Sequence, residues 1–289
     1  MSNFLKSMFI SNYMMALMAV MGYSGWMLAH DANIVAWSGV LLTTAPLMTV
    51  ISYLMMFKVV ARTSAHFPVL NVLGLVGIAL AIWAWDRQGA ELFAPGLAIA
   101  SWFGFLAYAY WYSSFGRTPS SKLRVGAALP GFTVIGINGA RVSSAELTDK
   151  PAVLVFYRGN WCPLCMAQIK ELASRYQDLH ALGIRVALIS PQPHSNTVGL
   201  AKKFGVDFDF LTDEGNAAAR TLGIDISHGL PMGMQMMGYD SETVLPTVVI
   251  TDGKGKVIWT HETDNYRIRP EPDVYLEVLR RHGAVPHLA

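Results

Sequence analysis

The chain has 289 residues, of which 53% are hydrophobic and 15% charged, and its mean hydropathy is +0.35. Soluble domains carry about 25% charged residues, so this composition argues against a chain that folds as one soluble domain. The formal net charge of +2 gives no support for a nucleic-acid partner. Because Cys162 and Cys165 are the only two cysteines, a disulfide-stapled framework and a four-cysteine zinc site are excluded.

Charged residues are scarce in the first part of the chain. The sequence contains 22 Lys and Arg and 20 Asp and Glu, but only seven of these lie within residues 1–116. Six of the eight Trp and ten of the fifteen Met also lie there. This distribution predicts lipid as the solvent of residues 1–116 and water as the solvent of the remainder.

Four uncharged stretches follow one another at 8–29, 32–57, 67–85 and 92–116. A helix needs about 20 apolar residues to cross a bilayer, so the pattern predicts a four-helix transmembrane bundle. The first stretch is longer than the apolar core of a cleaved signal peptide, and three more follow it. The ends of the stretches carry aromatic residues that suit a membrane interface: Tyr23, Trp26, Trp83, Trp85, Tyr108, Tyr110, Trp111 and Tyr112. The stretches also contain glycines that permit close helix contact: Gly22, Gly25, Gly74, Gly77 and Gly104.

The charges that flank these stretches predict an orientation. Four spans place both chain ends on one side, and six basic residues fall on that side: Lys6, Lys58, Arg62, Arg117, Lys122 and Arg124. Arg87 stands on the other side beside Asp86 and Glu91. The positive-inside rule therefore predicts a multi-pass protein of a bacterial-type plasma membrane with cytoplasmic termini, the reverse orientation being the alternative. The spans hold no central charge and no cysteine, so thiol chemistry is not expected within the bundle.

The second part of the chain predicts an α/β domain at 125–289, joined by a polar linker at 117–124. Its apolar runs and turn residues predict a mixed central sheet with helices on both faces. Strands are expected at 152–157, 185–189, 208–211, 247–251 and 256–260, the last two forming a hairpin. Helices are expected at 163–182, at 195–204 with Ser195 or Asn196 as cap, at 216–222 and at 272–281.

The segment Trp161-Cys162-Pro163-Leu164-Cys165 lies between the first buried strand and the long helix. Pro163 suits the first helical position, which places Cys162 at the cap, where free backbone N–H groups favour a thiolate. Cys165 lies one turn further and can attack a mixed disulfide formed on Cys162. We therefore predict Cys162 as nucleophile and Cys165 as resolving thiol. The competing zinc half-site would need two further ligands, but the sequence has no second CxxC and no HxxxH, so His180 and His194 could join it only if the fold happened to bring them there.

The segment from Phe156 to Cys165 resembles thioredoxin-fold proteins of the AhpC/TSA, peroxiredoxin-like group that carry a CxxC. Three further segments strengthen this resemblance, which covers roughly residues 122–283: 126–132 (GAALPGF), 245–247 (LPT) and 266–272 (YRIRPEP). It implies a thioredoxin-like domain with a redox-active disulfide and no other cofactor or metal.

The chain departs from the pattern of typical peroxiredoxins and thioredoxins. When Cys165 is aligned with the peroxidatic cysteine, Arg158 and Cys162 occupy the positions of the family's Pro and Thr, and its downstream Arg falls near Pro246. These departures argue against peroxide turnover. The buried Asp of thioredoxins corresponds to Phe156, which leaves Asp207, Asp213 or a water molecule as proton acceptors for Cys165.

The resemblance also implies a substrate groove beside the dithiol. Pro246 is expected to be cis, so that the backbone of Leu245 could align a substrate opposite Cys162. Trp161 and Pro163 would flank this groove, and Arg158 would either lower the pKa of Cys162 or be solvated. The Met-rich segment 229–239 (GLPMGMQMMGY) is a partner surface, core filling or a mobile loop.

Together these features predict a membrane-anchored thiol–disulfide oxidoreductase. Its expected partners are the lipid bilayer, protein or small disulfides, and an external thiol reductant or oxidant, with no nucleic acid. The alternatives are a peroxiredoxin-like thiol peroxidase and a membrane-tethered module without catalysis. The bundle could also have a separate role, such as binding a quinone or a partner.

Overall fold

The computed structural model describes residues 2–30 and 32–285. The chain forms two compact units, which we call the helical unit and the sheet unit. The helical unit contains Leu5–Lys58 and Thr63–Phe115. The sheet unit contains Met1–Phe4, Val59–Arg62 and Gly116–Ala289.

The long helices correspond to the four predicted apolar stretches. They are α1 (Ser2–Ala29), α2 (Ile34–Phe57), α3 (Pro68–Gln88) and α4 (Phe93–Leu106), and the last continues as a π-helical segment over Ala107–Tyr112. Each is long and apolar enough to cross a membrane, the fourth when its π-helical continuation is included. The four predicted helices are therefore confirmed as helices, and the crossing of a membrane stays a prediction.

Glycine allows α2 and α3 to approach closely. A Cβ atom on Gly39 would lie 2.5 Å from the carbonyl oxygen of Gly77, and a Cβ on Gly77 would lie 2.5 Å from that of Gly39. Gly74 lies against Trp102 in a similar way. The prediction of close packing is thus confirmed at Gly74 and Gly77, and at Gly104, which lies against Tyr13. It is wrong at Gly22 and Gly25, where no described atom from another helix lies within 4 Å of such a Cβ.

A seven-stranded mixed sheet forms the centre of the sheet unit, in the order β2-β1-β5-β4-β3-β8-β9. Its central strands β3, β4 and β5 are parallel, and β8 and β9 form the predicted antiparallel hairpin. A separate pair joins β6 to β7. The strands are β1 (Thr133–Gly136), β2 (Arg141–Ser143), β3 (Ala152–Phe156), β4 (Arg185–Ser190), β5 (Asp209–Thr212), β6 (Asp225–Ile226), β7 (Thr243–Val244), β8 (Thr247–Thr251) and β9 (Val257–Glu262).

The helices of the sheet unit differ from the sequence pattern at two points. They are α5 (Ser144–Leu147), α6 (Pro163–Ser174), α7 (Tyr176–Ala181), α8 (His194–Phe204), α9 (Ala217–Leu222) and α10 (Pro272–Arg281). The single helix predicted over 163–182 is broken at Arg175, whose N–H bonds to Leu172, and whose side chain pairs with Asp178 and Asp273. The predicted caps Ser195 and Asn196 are also wrong, because α8 begins directly after Pro193 and contains both residues.

The strand that leads to the dithiol is buried along its whole length. All five residues of β3 are buried, and Leu154 and Phe156 pack in the main core with Ile189 of β4 and Val249 of β8. Burial of these apolar side chains stabilises β3 in the centre of the sheet. The loop after Phe156 therefore emerges at the edge where the parallel strands β3, β4 and β5 also end. This edge carries the candidate site.

Candidate active site at the amino end of helix α6

Cys162 is the residue that caps α6. Its backbone is extended, its Sγ accepts a hydrogen bond from the N–H of Cys165 at 3.3 Å, and Pro163 occupies the first helical position. This is the predicted placement. Because the free N–H groups and the dipole of a helix favour negative charge at its amino end, the cap position stabilises a thiolate on Cys162.

The two cysteines are joined by a disulfide and are buried. Their Cα atoms lie 5.2 Å apart, and the two residues are 2% and 0% exposed. Two cysteines at this spacing release two electrons when they form one S–S bond and take up two when that bond is reduced, so the pair can exchange electrons with another disulfide. The residues required for such chemistry are therefore present within one helical turn.

A guanidinium group that the sequence did not single out contacts both sulfurs. Nη2 of Arg269 lies 3.4 Å from Sγ of Cys165 and 3.9 Å from Sγ of Cys162. Nη1 of Arg269 donates to Oε1 of Gln168 at 2.8 Å, and Nε2 of Gln168 donates to the hydroxyl of Tyr275 at 3.0 Å. Gln168 on α6 and Tyr275 on α10 thus hold the arginine against the dithiol.

The charge of Arg269 is not neutralised by a carboxylate. Within residues 2–30 and 32–285 none of the ion pairs includes Arg269, and its Nε has no hydrogen-bond partner. Burial, together with the nearby charge of Arg158, lowers the pKa of Arg269 to about 10, so that the group is still charged at neutral pH. The disulfide consequently lies in a positive electrostatic field.

Arg158 and Trp161 form a second layer around the dithiol loop. Arg158 is buried, its guanidinium lies 4.5 Å from the centre of the Trp161 ring, and it donates to the carbonyl oxygen of Gly229. Nε1 of Trp161 donates to the backbone oxygen of Arg158 at 3.2 Å. Gly159, at φ +141°, leaves the space that the indole occupies. The alternative of a solvated Arg158 is therefore wrong.

The expectation of a cis bond before Pro246 is wrong, because the Leu245–Pro246 peptide bond is trans. Three contacts hold this conformation. The N–H of Leu245 donates to Ile224 at 2.7 Å, the Leu245 oxygen accepts from Oγ1 of Thr247 at 2.8 Å, and the Pro246 oxygen accepts from Arg117 at 3.0 Å. Both backbone polar groups of Leu245 are thus already bonded within the protein.

Neither aspartate considered as a proton acceptor is available to Cys165. The carboxylate of Asp213 accepts from the N–H groups of Ala218 and Ala219 at 2.8 and 2.9 Å, where it caps α9. Burial nevertheless raises the pKa of Asp213. Asp207 lies at the start of β5, at the opposite edge of the sheet from the dithiol, and lines a cavity with Lys150.

Side chains from two other elements hold the dithiol loop in place. The N–H of Asn160 donates to Oε1 of Gln192 at 2.8 Å, and Nε2 of Gln192 donates to the hydroxyl of Tyr157 at 3.1 Å. The hydroxyl of Tyr239 donates to Oδ1 of Asn160. Tyr239 ends the Met-rich segment, where Met236 is 93% exposed, so this methionine does not fill the core.

The two histidines of the zinc alternative lie elsewhere. The ring of His180 packs against Tyr176, and Nδ1 of His194 lies 2.9 Å from Oγ1 of Thr212. In the part of the chain that the structure describes, no group of three or more His, Cys, Asp or Glu residues is placed to hold a metal ion.

Comparison with known proteins finds similarity to peroxiredoxins in the second part of the chain. Residues 125–260 match the model of the AhpC/TSA family. A chloroplastic peroxiredoxin Q from Populus jackii is 30% identical over 138 residues, which are 47% of this chain and 64% of that protein. The enzyme of the same name from Triticum aestivum is 31% identical over 126 residues, 43% of this chain and 58% of that protein. The chain thus matches less than two thirds of these relatives' length.

Two solved structures share part of the fold of this chain. Peroxidoxin BcpB from Mycobacterium tuberculosis is 19% identical, with a TM-score of 0.46 over 55% of this chain and 97% of that one. A peroxiredoxin-like protein from Aquifex aeolicus is 18% identical, with a TM-score of 0.46 over 55% of this chain and 88% of that one.

Proposed function

We propose, from the premise that residues 125–260 form a thioredoxin-fold, peroxiredoxin-like domain, that the chain is a membrane-anchored thiol–disulfide oxidoreductase. Cys162 is the nucleophile and Cys165 the resolving thiol. The observation that carries this proposal is the position of the disulfide at the cap of α6, where the N–H of Cys165 bonds to Sγ of Cys162. Such a position favours the thiolate form on which exchange depends.

The reaction transfers two electrons in two steps. The thiolate of Cys162 attacks one sulfur of a substrate disulfide, a mixed disulfide forms, and the second substrate sulfur leaves as a thiolate that takes a proton from solvent. Cys165 then attacks Sγ of Cys162, the mixed disulfide breaks, and the remaining substrate sulfur leaves in the same way. An external thiol returns the Cys162–Cys165 disulfide to the dithiol, and with an oxidised donor the same steps run in reverse.

Residues 1–116 anchor this chemistry in a membrane. Their four helices are long and apolar enough to span a bilayer, and the basic residues outside them accumulate on one side. The positive-inside rule then places both termini and the redox domain at 125–289 in the cytoplasm of a bacterial-type cell. A reporter enzyme fused after Ala289 tests this orientation. Reporter activity only on the outer side of the membrane would contradict it and support the reverse orientation.

Thiol peroxidase activity is the second candidate. Arg269 supplies N–H donors next to both sulfurs, where they could bond to the oxygens of a peroxide, and the relatives reported above are named peroxiredoxins. In that reaction a cysteine thiolate takes one peroxide oxygen to become a sulfenate, and the other oxygen leaves as water or an alcohol. The partner thiol then displaces the sulfenate oxygen as water and forms the disulfide.

Parallel assays on the full-length chain in detergent separate the two candidates. Reduction of insulin disulfides by dithiothreitol and consumption of hydrogen peroxide are measured with the wild type, Cys162→Ser and Cys165→Ser. Ser174→Ala, which changes an exposed hydroxyl on the same helix, is the control. We expect insulin reduction that Cys162→Ser abolishes. Rapid peroxide turnover without insulin reduction would favour the peroxidase. Equal rates in both assays for the wild type, Cys162→Ser and Cys165→Ser would indicate a module without catalysis.

A further inference from the structure

The resolving step requires a thiolate on a cysteine that is completely buried. Cys165 is 0% exposed, and burial in itself raises the pKa of a thiol. The two aspartates considered above are engaged elsewhere, as the cap of α9 and at the opposite edge of the sheet. The positive group in contact with Sγ of Cys165 is the guanidinium of Arg269, at 3.4 Å.

Arg269 is fixed in this position, and no carboxylate of residues 2–30 or 32–285 forms an ion pair with it. Gln168 accepts from its Nη1 at 2.8 Å and is itself bonded to Tyr275, while Nε is buried without a hydrogen-bond partner. A buried cation with no anionic partner is costly, and an anion that forms beside it recovers part of that cost. In the disulfide state the neighbouring sulfurs carry no charge, whereas reduction of the pair can place a thiolate there.

We propose that Arg269 is a catalytic residue that stabilises the thiolate of Cys165 and thereby takes the part that a carboxylate base would otherwise play. This inference rests on the proposed dithiol function. In the resolving step the electron pair of the Cys165 thiolate forms the bond to Sγ of Cys162. The bond between Cys162 and the substrate breaks, and its electron pair leaves on the substrate sulfur, which takes a proton from solvent.

The same contact favours the reduced pair over the disulfide. Arg269 gains an anionic partner only while a thiolate is present, so its charge stabilises the dithiolate and thiol–thiolate forms. The charged and titratable groups around it belong to several segments of the sheet unit: Arg62, Arg158, Glu171, His261, Tyr266 and Tyr275. None of these is altered in the variants below, so their influence is common to each compared pair.

Thiolate absorbance at 240 nm, followed against pH in the full-length chain, tests this role. The Cys162→Ser protein contains Cys165 as its only thiol, and the protein that lacks both cysteines supplies the background. An opposite charge at this distance lowers a pKa by about 1–3 units, so we expect Arg269→Gln to raise the pKa of Cys165 by that amount. Arg269→Lys, which keeps the charge, is expected to restore at least half of the shift.

Two further variants are titrated in the same way. Arg175→Gln, which removes a partly exposed arginine near the end of the same helix, is the control and should leave the titration unchanged. If Arg269→Gln does not fold, Gln168→Leu removes the brace of the guanidinium and should raise the pKa in the same direction by less. A folded Arg269→Gln protein with an unchanged Cys165 pKa would overturn the proposal, as would a folded Arg269→Lys protein that restores nothing.

The equilibrium of the two-cysteine protein with a glutathione redox buffer gives an independent readout. At a pH above the pKa of Cys165 in both proteins, a change of one pKa unit corresponds to about a tenfold change in an equilibrium constant, so Arg269→Gln should there shift the pair toward the disulfide by about tenfold per unit. No shift would contradict the proposal. The titration uses no disulfide and the redox equilibrium uses only glutathione, so neither outcome depends on whether the chain reduces insulin.

Discussion

Two regions of the sheet unit each contain a buried arginine, Arg117 in one and Arg269 in the other, and the two guanidinium groups have different partners. Arg117 lies 2.7 Å from the carboxylate of Glu262, and the two side chains are 1% and 5% exposed. Arg269, also buried, contacts two sulfurs and an amide oxygen instead. Burial lowers the pKa of both arginines, but Glu262 counteracts this effect only at Arg117. The paired charge is structural, whereas the unpaired charge remains available to an anion that forms during a reaction.

His261 lies between these two regions. With Pro246 and Arg269 it lines one small cavity, while the residue that follows it, Glu262, binds Arg117. Burial lowers the pKa of His261, and the charges of Arg269 and Arg117 lower it further, whereas a backbone hydrogen bond at Ile268 raises it. The histidine therefore responds to both arginines.

The largest expected effect is a loss of stability when the ion pair between Arg117 and Glu262 is removed. Glu262→Ala leaves the cation of Arg117 buried without its carboxylate, and loss of one partner of a buried pair costs about 3–5 kcal/mol. We expect the free energy of unfolding of the full-length chain to fall by this amount in chemical denaturation. Glu277→Ala, in an exposed pair with Arg281, is the control and should cost about 0.5 kcal/mol or less. A loss below about 1 kcal/mol for Glu262→Ala would show that Arg117 does not depend on its carboxylate partner, and would contradict the contrast drawn with Arg269.

Substitution of Arg269 should have a smaller effect that depends on the redox state. Arg269→Met removes an unpaired buried cation, so in the disulfide form the free energy of unfolding should change by about 1 kcal/mol or less. In the reduced form the thiolate also loses its partner, and the extra cost should be about 1–4 kcal/mol. Denaturation of both forms measures the difference. Equal costs in the two forms would show that the arginine does not respond to the charge on the sulfurs.

The third effect is a pH dependence at His261. Its pKa is lower in the folded than in the unfolded protein, so the folded state binds fewer protons as the imidazole titrates. Stability from this group is complete above the unfolded pKa of about 6.5 and is lost as the pH falls through the folded value. We expect His261→Gln to reduce the loss of unfolding free energy between pH 7 and acidic pH. The same slope in wild type and variant would contradict this sign, and measurements at pH 8 supply the reference.

Local features of the sequence were sufficient for the strand–dithiol–helix segment. The apolar run that ends at Phe156, the proline at the first helical position and the charge-free stretches each act over a few residues, and the structure contains the expected elements. The short β1–β2 hairpin escaped detection because strands of four and three residues show too little alternation. The break at Arg175 depends partly on Asp273, nearly a hundred residues away along the chain.

The parts of the site that could not be predicted depend on contacts between distant residues. Arg269 and Cys165 are 104 positions apart in the sequence, and the fold of the chain after β9 brings their side chains into contact. The trans bond at Pro246 is held by Arg117 and by the contact of Leu245 with Ile224, neither of which lies in the local motif. The resemblance of residues 266–272 to related proteins marked the segment, but nothing in it indicated that one of its arginines contacts the dithiol.

Trapping of the mixed disulfide tests the central claim most directly. In the Cys165→Ser protein the intermediate on Cys162 cannot be resolved within the chain, so it should accumulate when the reduced full-length protein meets insulin. Mass spectrometry under non-reducing conditions should then find one insulin molecule linked to Cys162, and dithiothreitol should release it. Cys162→Ser protein treated in the same way should form much less adduct. An equal or larger adduct on Cys165, or none on Cys162, would contradict the assignment of Cys162 as the nucleophile.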